Sequence, residues 1–321
     1  MLNNYHYFIV LTEELNISRA AKRLYISHQC LSKYLKNLEQ AYRISFFERS
    51  PQMKLTPAGQ AYLDMLRQIQ FLENNLENHL KDIRNSKIGC IRLGTTEGRY
   101  RILIPNLLSR FKMLFPDVKL DVQCTTSNQL NDRLLKNELD LVLLNKSDIN
   151  YSQMEIRPLL NEQLYVVISD HMLAQYFPEQ YPTCKEEFLR GVDLAEFQDV
   201  PFIMSCRSSI SREALETHML THDYSLNCVM ELSQMDMHFM MSAKDYAASF
   251  CWSMYIATIQ RMNREDPFTH LNIFPINNME VKNQVILATA KGKILPSYGR
   301  ELIRLIKQDC AAFLPLHLNN S

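Results

Sequence analysis

Apolar residues recur with three different periods along this chain. Leu2, Tyr5, Phe8, Ile9 and Leu15 fall at roughly helical intervals, and the run Asn16, Ile17, Ser18 interrupts them. Ser18 is a good capping residue type, so a short second helix is expected over 19–24. Ala20 and Ala21 there are small enough for a neighbouring helix to approach. Tyr25 and Ile26 make a turn, and Ser27 can cap a third helix running to about residue 42. In it Leu31, Leu35 and Leu38 share one face, while His28, Gln29, Ser32, Lys33 and Lys36 occupy the other. Helix, tight turn and basic helix form a helix-turn-helix order. Two short apolar runs around Ser50, Pro51 and Gln52 predict a two-stranded wing beside it.

The period then changes. Thr56 and Pro57 are a cap and a first-turn proline, opening a helix that runs to about residue 84. Tyr62, Leu66, Ile69, Glu73, Leu76, Leu80 and Ile83 step by 4, 3, 4, 3, 4 and 3 along it. That is the period of about 3.5 residues of a coiled-coil seam, so the whole seam is expected to lie between two chains. From residue 88 strands alternate with helices: strands at 88–94, 119–125 and 139–144, with helices at 101–115 and 128–136. The alternation recurs less cleanly in strands at 163–168, 201–204, 227–232, 247–252, 271–275 and 284–290. Helices are expected at 209–221, 235–243 and 295–313. This is an α/β order with parallel strands, and two lobes joined by a double crossover fit it.

Composition narrows the function classes. The 321 residues suffice for two or three domains, and 46% apolar residues supply an ordinary core. Lys plus Arg and Asp plus Glu balance at 35 each, so overall charge names no partner. Residues 1–58 nevertheless carry a net +4, which suits a small domain that meets phosphate. The eight cysteines are scattered with no C-x-x-C pair, so free thiols in a reducing cytoplasm are expected. The first residues lack a basic segment followed by an apolar core, and no apolar run is long enough for a membrane span. Neither a signal peptide nor a membrane partner is expected.

An ordered set of residues is similar to the LysR-type transcriptional regulators. It comprises Phe8, Ser18, Ala20–Ala21, Leu24, Ser27, Leu31–Ser32, Leu38–Glu39, Phe47, Arg49, Leu55–Thr56 and Gly59. These stand at the spacings of that family's AA-x-x-L, S/T-Q-P-A-[LV]-S, LE, LF-x-R and LT-x-x-G. The likeness continues less sharply through Leu103–Leu114, Pro116, Leu134 and Asp140–Leu141. The resemblance implies a winged helix-turn-helix domain over 1–58, all-α apart from its wing, and a linker and dimerisation helix over 59–87. It implies an α/β effector domain over 88–321 with two lobes like those of periplasmic binding proteins. Lobe one would be 88–162 and 268–321, and lobe two 163–267. It further implies a homodimer or homotetramer on an interrupted palindromic operator in double-stranded DNA, controlled by a small molecule between the lobes. Three departures stand out. His28 and Gln29 replace the family's Gln and Pro, Arg43 replaces the glycine that ends the recognition helix, and Ala243, Lys244 and Asp245 stand where a Gly-x-Gly is expected.

For DNA, Gln29 and Ser32 are the candidates for base edges, with His28 a weaker one. Lys33, Lys36 and Arg49 are expected on phosphate, and Ser18 and Arg19 on the backbone near the preceding helix start. For the effector, loops after parallel strands converge at a crevice. Thr95, Thr96, Gly98, Ser127, Asn128 and Asn145 would come from the first lobe and Ser205, Cys206 and Ser208 from the second. Hydroxyls and amides at helix N-termini suit an anionic ligand such as a carboxylate, and Arg99 or Arg101 could add charge. His218 and His222 have helical zinc-ligand spacing but no third ligand, so no metal or cofactor is expected. Cys206 keeps open an alternative, a thiol-based redox sensor of the same family. A solute-binding protein without DNA activity is the rival from another class, disfavoured by the basic first domain. With no nucleophile-elbow or phosphate-loop motif, an enzyme is not expected.

Overall fold

The computed structural model describes residues 4–50, 52–84, 88–148, 151–207, 209–266, 268, 270–279 and 283–313. The chain divides into two units, residues 1–86 with 293–296, and 87–292 with 297–321.

The first unit contains α1 (His6–Glu14), α2 (Ile17–Arg23), α3 (His28–Tyr42), β1 (Phe47–Glu48), β2 (Lys54–Leu55) and α4 (Pro57–Ile83). Its core is the leucine stripe of α3 (Leu31, Leu35, Leu38) closed against Phe8, Leu11, Ala20, Ala21, Phe46 and Phe47. The cap of α2 is Asn16 and not Ser18. Asn16 is extended, and its side chain accepts the Arg19 N–H at 3.0 Å, so the helix starts at Ile17 and Ser18 lies exposed within its first turn. Ser27 caps α3 by accepting the Cys30 N–H at 3.1 Å. Arg43 ends α3 in the left-handed conformation at φ 53°, where the family pattern has glycine. A side chain there costs roughly 1 kcal/mol relative to glycine.

The α4 seam has two different fates. Tyr62 and Leu66 are buried in this unit's own core, Ile69 packs against it, and Glu73 accepts the Tyr5 hydroxyl. The expectation that the whole seam lies between chains therefore fails for its first half. Those side chains are consumed intramolecularly, because α4 packs directly on α1 and the wing. Gly59 permits that contact: a Cβ there would stand 2.2 Å from the Phe46 carbonyl oxygen. Leu72, Leu76, Leu80 and Ile83 remain exposed.

The second unit begins with β3 (Gly89–Thr95), α5 (Glu97–Leu114), β4 (Val118–Cys124), α6 (Ser127–Leu135), β5 (Leu141–Asn145) and β6 (Met154–Glu162). It crosses to β7 (Leu164–Ser169), α7 (Asp170–Tyr176), α8 (Cys184–Phe188), β8 (Pro201–Met204), α9 (Ile210–His222), β9 (Asn227–Glu231), α10 (Met235–Ser242), β10 (Ser249–Trp252), α11 (Ile256–Glu265) and β11 (Leu271–Pro275). It returns through β12 (Asn283–Ala290) and α12 (Ser297–Ala311). The first lobe's sheet has the order β4-β3-β5-β12-β6, with β3 parallel to β4 and β5 and with β12 antiparallel to its neighbours. The second lobe combines an antiparallel β10-β7-β11 sheet with a parallel β8-β9 pair.

The lobe boundary differs from the expected one. Leu271–Pro275 pairs antiparallel with β7, so the return crossover follows β11 instead of preceding it. The β6 strand is absent from the periodicity because Pro158 interrupts its apolar run. Proline is tolerated because β6 is an edge strand, with a register irregularity opposite it at Val285/Ile286. Asp140, one of the residues that carry the resemblance, has a structural job: its carboxylate accepts the Arg92 backbone N–H and holds its guanidinium through two further bonds of 2.9 and 3.1 Å.

Candidate functional site

Two surfaces gather the sequence-predicted site residues. The first is the outer face of α3. His28, Gln29, Lys33 and Lys36 are exposed there and Ser32 is half-exposed, opposite the buried leucines. Among the described residues no carboxylate pairs with Lys33 or Lys36, so both ammonium groups are available to phosphate. Ser18, Arg19, His28 and Arg49 line one concavity of about 570 Å³ with Gln52 and Met53 of the wing. Arg19 is partly tied down: it donates to the Glu14 carbonyl at 2.7 Å and lies 3.6 Å from the Glu14 carboxylate. Arg49 is also engaged, with Glu39 at 2.9 Å. The other Glu39 oxygen accepts the Phe46 N–H at 2.9 Å, so one carboxylate joins the recognition helix to the wing. That role escaped the sequence reading although Leu38–Glu39 carried the resemblance, because the pattern marks the residue and not its partner.

The second surface is a pocket of about 900 Å³ between the lobes of the second unit. Thr96, Gly98, Ser127, Asn128, Asn145, Ser205 and Cys206 all line it. Thr95 does not: it is the last residue of β3 and is fully buried in the sheet, one position short of the opening. Ser208 lies outside the described residues. Three helix N-termini converge here, those of α5, α6 and α9. Thr96 and Thr126 precede α5 and α6 without giving a side-chain cap. The Thr96 hydroxyl instead accepts from the Arg99 guanidinium at 3.0 Å.

Of the two candidate arginines, Arg99 faces the pocket and Arg101 does not line it. Arg101 donates to Glu97 at 2.9 Å and to Asp236 of the second lobe at 2.7 Å, and Gln234 donates to Glu97 at 3.2 Å. These bonds join α5 to the start of α10 across the cleft, and they hold the Glu97 carboxyl below the usual range. Arg99 bonds to Asn145 and lies 3.6 Å from Glu162. Glu162, Asn283 and Tyr255 also line the pocket and were missed in the sequence. Glu162 and Asn283 are register partners across β6 and β12, a pairing no local pattern announces. Burial pushes the Glu162 carboxyl up, against the opposing pull of Arg99. Burial, with Glu162 nearby, pushes the Tyr255 hydroxyl up to about 12.

The remaining candidates have local partners. His218 Nδ1 lies 2.6 Å from the Tyr224 hydroxyl, and His222 Nδ1 lies 3.0 Å from the His218 carbonyl. Cys228, the next thiol after Cys206, takes a 3.6 Å bond from Arg212. Asp245 adopts the left-handed conformation at φ 58°, within the segment where glycines were expected, and Ala243–Asp245 does not line the pocket. Among the described residues no helix is long and apolar enough to cross a membrane.

Two family models match the chain. Residues 2–60 match the family described as bacterial regulatory helix-turn-helix protein, lysR family, and residues 84–311 match the LysR substrate binding domain. The HTH-type transcriptional activator CmpR of Synechocystis sp. is 28% identical over 234 residues, 72% of each chain. The HTH-type transcriptional regulator YtlI of Bacillus subtilis is 23% identical over 279 residues, 86% of this chain and 83% of its own. Full-length OxyR from Pseudomonas aeruginosa shares the fold with a TM-score of 0.63 at 18% identity, covering 95% of this chain and 92% of that one. CbnR in complex with its target DNA gives 0.51 at 19%, covering 95% and 97%. The chain belongs to the LysR family of DNA-binding transcriptional regulators, with a helix-turn-helix domain followed by an effector-binding domain.

Proposed function

We propose that this regulator acts in the cytoplasm as a homodimer or homotetramer, without enzymatic activity, on an interrupted palindrome in double-stranded DNA. A small anionic molecule bound between the lobes changes that binding. In this reading residues 1–58 contact DNA, the exposed half of α4 within 59–87 pairs chains, and the rest senses the effector. Gln29 and Ser32 read base edges, with His28 beside them. Lys33, Lys36 and Arg49 hold phosphate, with Ser18 and Arg19 near the adjoining backbone. Thr96, Gly98, Ser127, Asn128, Asn145, Ser205 and Cys206 surround the effector.

The observation that carries the anionic assignment is the convergence of two uncapped helix N-termini and the buried Arg99 on one pocket. Helix dipoles and first-turn N–H groups favour negative charge at a helix N-terminus. The test joins DNA and ligand. In mobility shifts with fragments carrying the operator, Gln29→Ala should reduce discrimination at one base position by about 1–3 kcal/mol. Equal loss on operator and random DNA counts against that assignment. A panel of organic acids should raise the melting temperature, since a ligand at 100 times its Kd stabilises by about 2.7 kcal/mol. Stabilisation by amines alone would reject the anionic effector.

A further inference from the structure

Three buried polar side chains form one wall of the interlobe pocket. They are Arg99 on α5, Glu162 at the end of β6 and Asn283 at the start of β12, at 8%, 3% and 3% exposure. The Asn283 amide donates to Glu162 Oε2 at 3.0 Å, and the Arg99 guanidinium stands 3.6 Å from the same oxygen. Two complementary atoms are left over. Among the described residues Arg99 Nε, a donor, and Asn283 Oδ1, an acceptor, have no partner. Both residues line the pocket, and leaving such atoms buried and unpaired is unfavourable, so a ligand that reaches them supplies two bonds the protein does not make itself.

The wall thus carries both signs. A purely anionic ligand is favoured by Arg99 and the helix N-termini but approaches the Glu162 carboxylate. A purely cationic one is favoured by Glu162 but approaches Arg99 and the positive ends of the helices. A molecule with both charges close together satisfies both. Ile102, Ile210, Trp252 and Met254 supply apolar walls for the remainder of such a molecule.

We propose that the effector is an α-amino acid, its carboxylate held by the α5 and α6 N-termini with Arg99 Nε, and its ammonium held by Glu162 with Asn283 Oδ1. This rests on the reading of the pocket as the effector site and adds the cationic half of the ligand. The position also explains how occupancy is felt. Glu162 and Asn283 are paired at the ends of the two strands that lead to and from the crossovers. The Glu162 carboxylate also accepts the backbone N–H of Met254, in the second lobe. An ammonium that draws on Glu162 therefore acts at the joint between the lobes.

The test uses the full-length protein, thermal shift and titration calorimetry. The probes are the proteinogenic L-amino acids, their α-keto acids, which lack the ammonium, and the corresponding primary amines, which lack the carboxylate. At least one amino acid should bind about ten-fold or more tightly than its keto acid and its amine, the size of one charge-assisted hydrogen bond. Glu162→Gln should reduce affinity for that amino acid by about ten-fold or more and leave keto-acid affinity unchanged or raised. Should Glu162→Gln fail to fold, Asn283→Ala carries the same comparison. A keto acid that binds as well as its amino acid, or a variant that weakens both alike, overturns the amino-acid assignment and leaves an anionic effector standing. If none of the three classes shifts the melting temperature, the amino-acid and the small-anion assignments fall together.

Discussion

Glu39 offers a direct test of how the recognition helix is held to the wing. Its carboxylate has two partners of unequal worth. The Phe46 N–H belongs to a residue only 3% exposed. Deleting the acceptor leaves that donor unsatisfied, at a cost of about 1–3 kcal/mol. The Arg49 guanidinium is 56% exposed, so solvent screens the ion pair, which contributes at most about 1 kcal/mol. Glu39→Ala should therefore destabilise the DNA-binding unit by about 1–4 kcal/mol. Arg49→Ala should cost well under about 1 kcal/mol. Glu39→Gln, which keeps an acceptor for Phe46 and removes the charge, should fall near Arg49→Ala. For a domain of this size each kcal/mol moves the melting temperature by about 4–8 °C. The chain's single tryptophan, Trp252, lies in the other unit. The Glu39→Ala shift should then appear in the far-ultraviolet dichroism of the full chain and leave the tryptophan-fluorescence transition in place. If Glu39→Gln is as damaging as Glu39→Ala, or Arg49→Ala matches both, the ion pair and not the backbone bond holds the wing, and the reasoning is refuted.

Other predictions separate roles that lie on neighbouring residues. Lys36→Ala should weaken operator and random DNA alike. It should also flatten the logarithmic salt dependence of binding by about 0.9, the slope that neutralising one phosphate supplies; an unchanged slope places Lys36 away from the backbone. Leu66→Ala should destabilise the fold by about 2–5 kcal/mol, whereas Leu76→Glu with Leu80→Glu should lower the molar mass in light scattering and spare the melting temperature. A dimer surviving the latter change would move the interface elsewhere. Burial depresses the pKa of His218 and of His238, whose Nε2 lies 2.9 Å from the Leu232 carbonyl. The unfolded chain then binds more protons below the ordinary histidine value of about 6.5, so stability is complete above it and falls as the pH drops through it. Urea midpoints at pH 7.5 and 5.5 check this, and His238→Gln should reduce the difference; a midpoint that rises on acidification contradicts it.

The parts legible in the sequence are those governed by local periodicity and capping. The α3 leucine stripe and its Ser27 cap, the Thr56–Pro57 start of α4 and the buried β5 run all follow from neighbours within a few residues. So does the arrival of Thr96, Ser127 and Asn145 at one opening, because each lies at or just past the C-terminal end of a parallel strand of one sheet. The misreadings share a cause. Ser18 and Asn16 are both competent caps, and the backbone chose the one that let Ile17 join the core. The α4 stripe reads the same whether α1 and the wing or a second chain covers it. Pro158 conceals a strand that only its edge position allows.

By itself, then, the sequence determined the order of elements, the polar face offered by the third helix and the loops that meet between the lobes. These depend on repeat length, capping chemistry and the direction of parallel strands. Only the tertiary structure decided that half of the linker seam is spent inside the DNA-binding unit, that β11 belongs to the second lobe, and that Arg99 rather than Arg101 faces the pocket. It alone brought Glu162 and Asn283 to that pocket from strands 121 residues apart in the chain. Charge buried at such a distance is set by which strands pair, and pairing is a property of the whole sheet that no local pattern encodes.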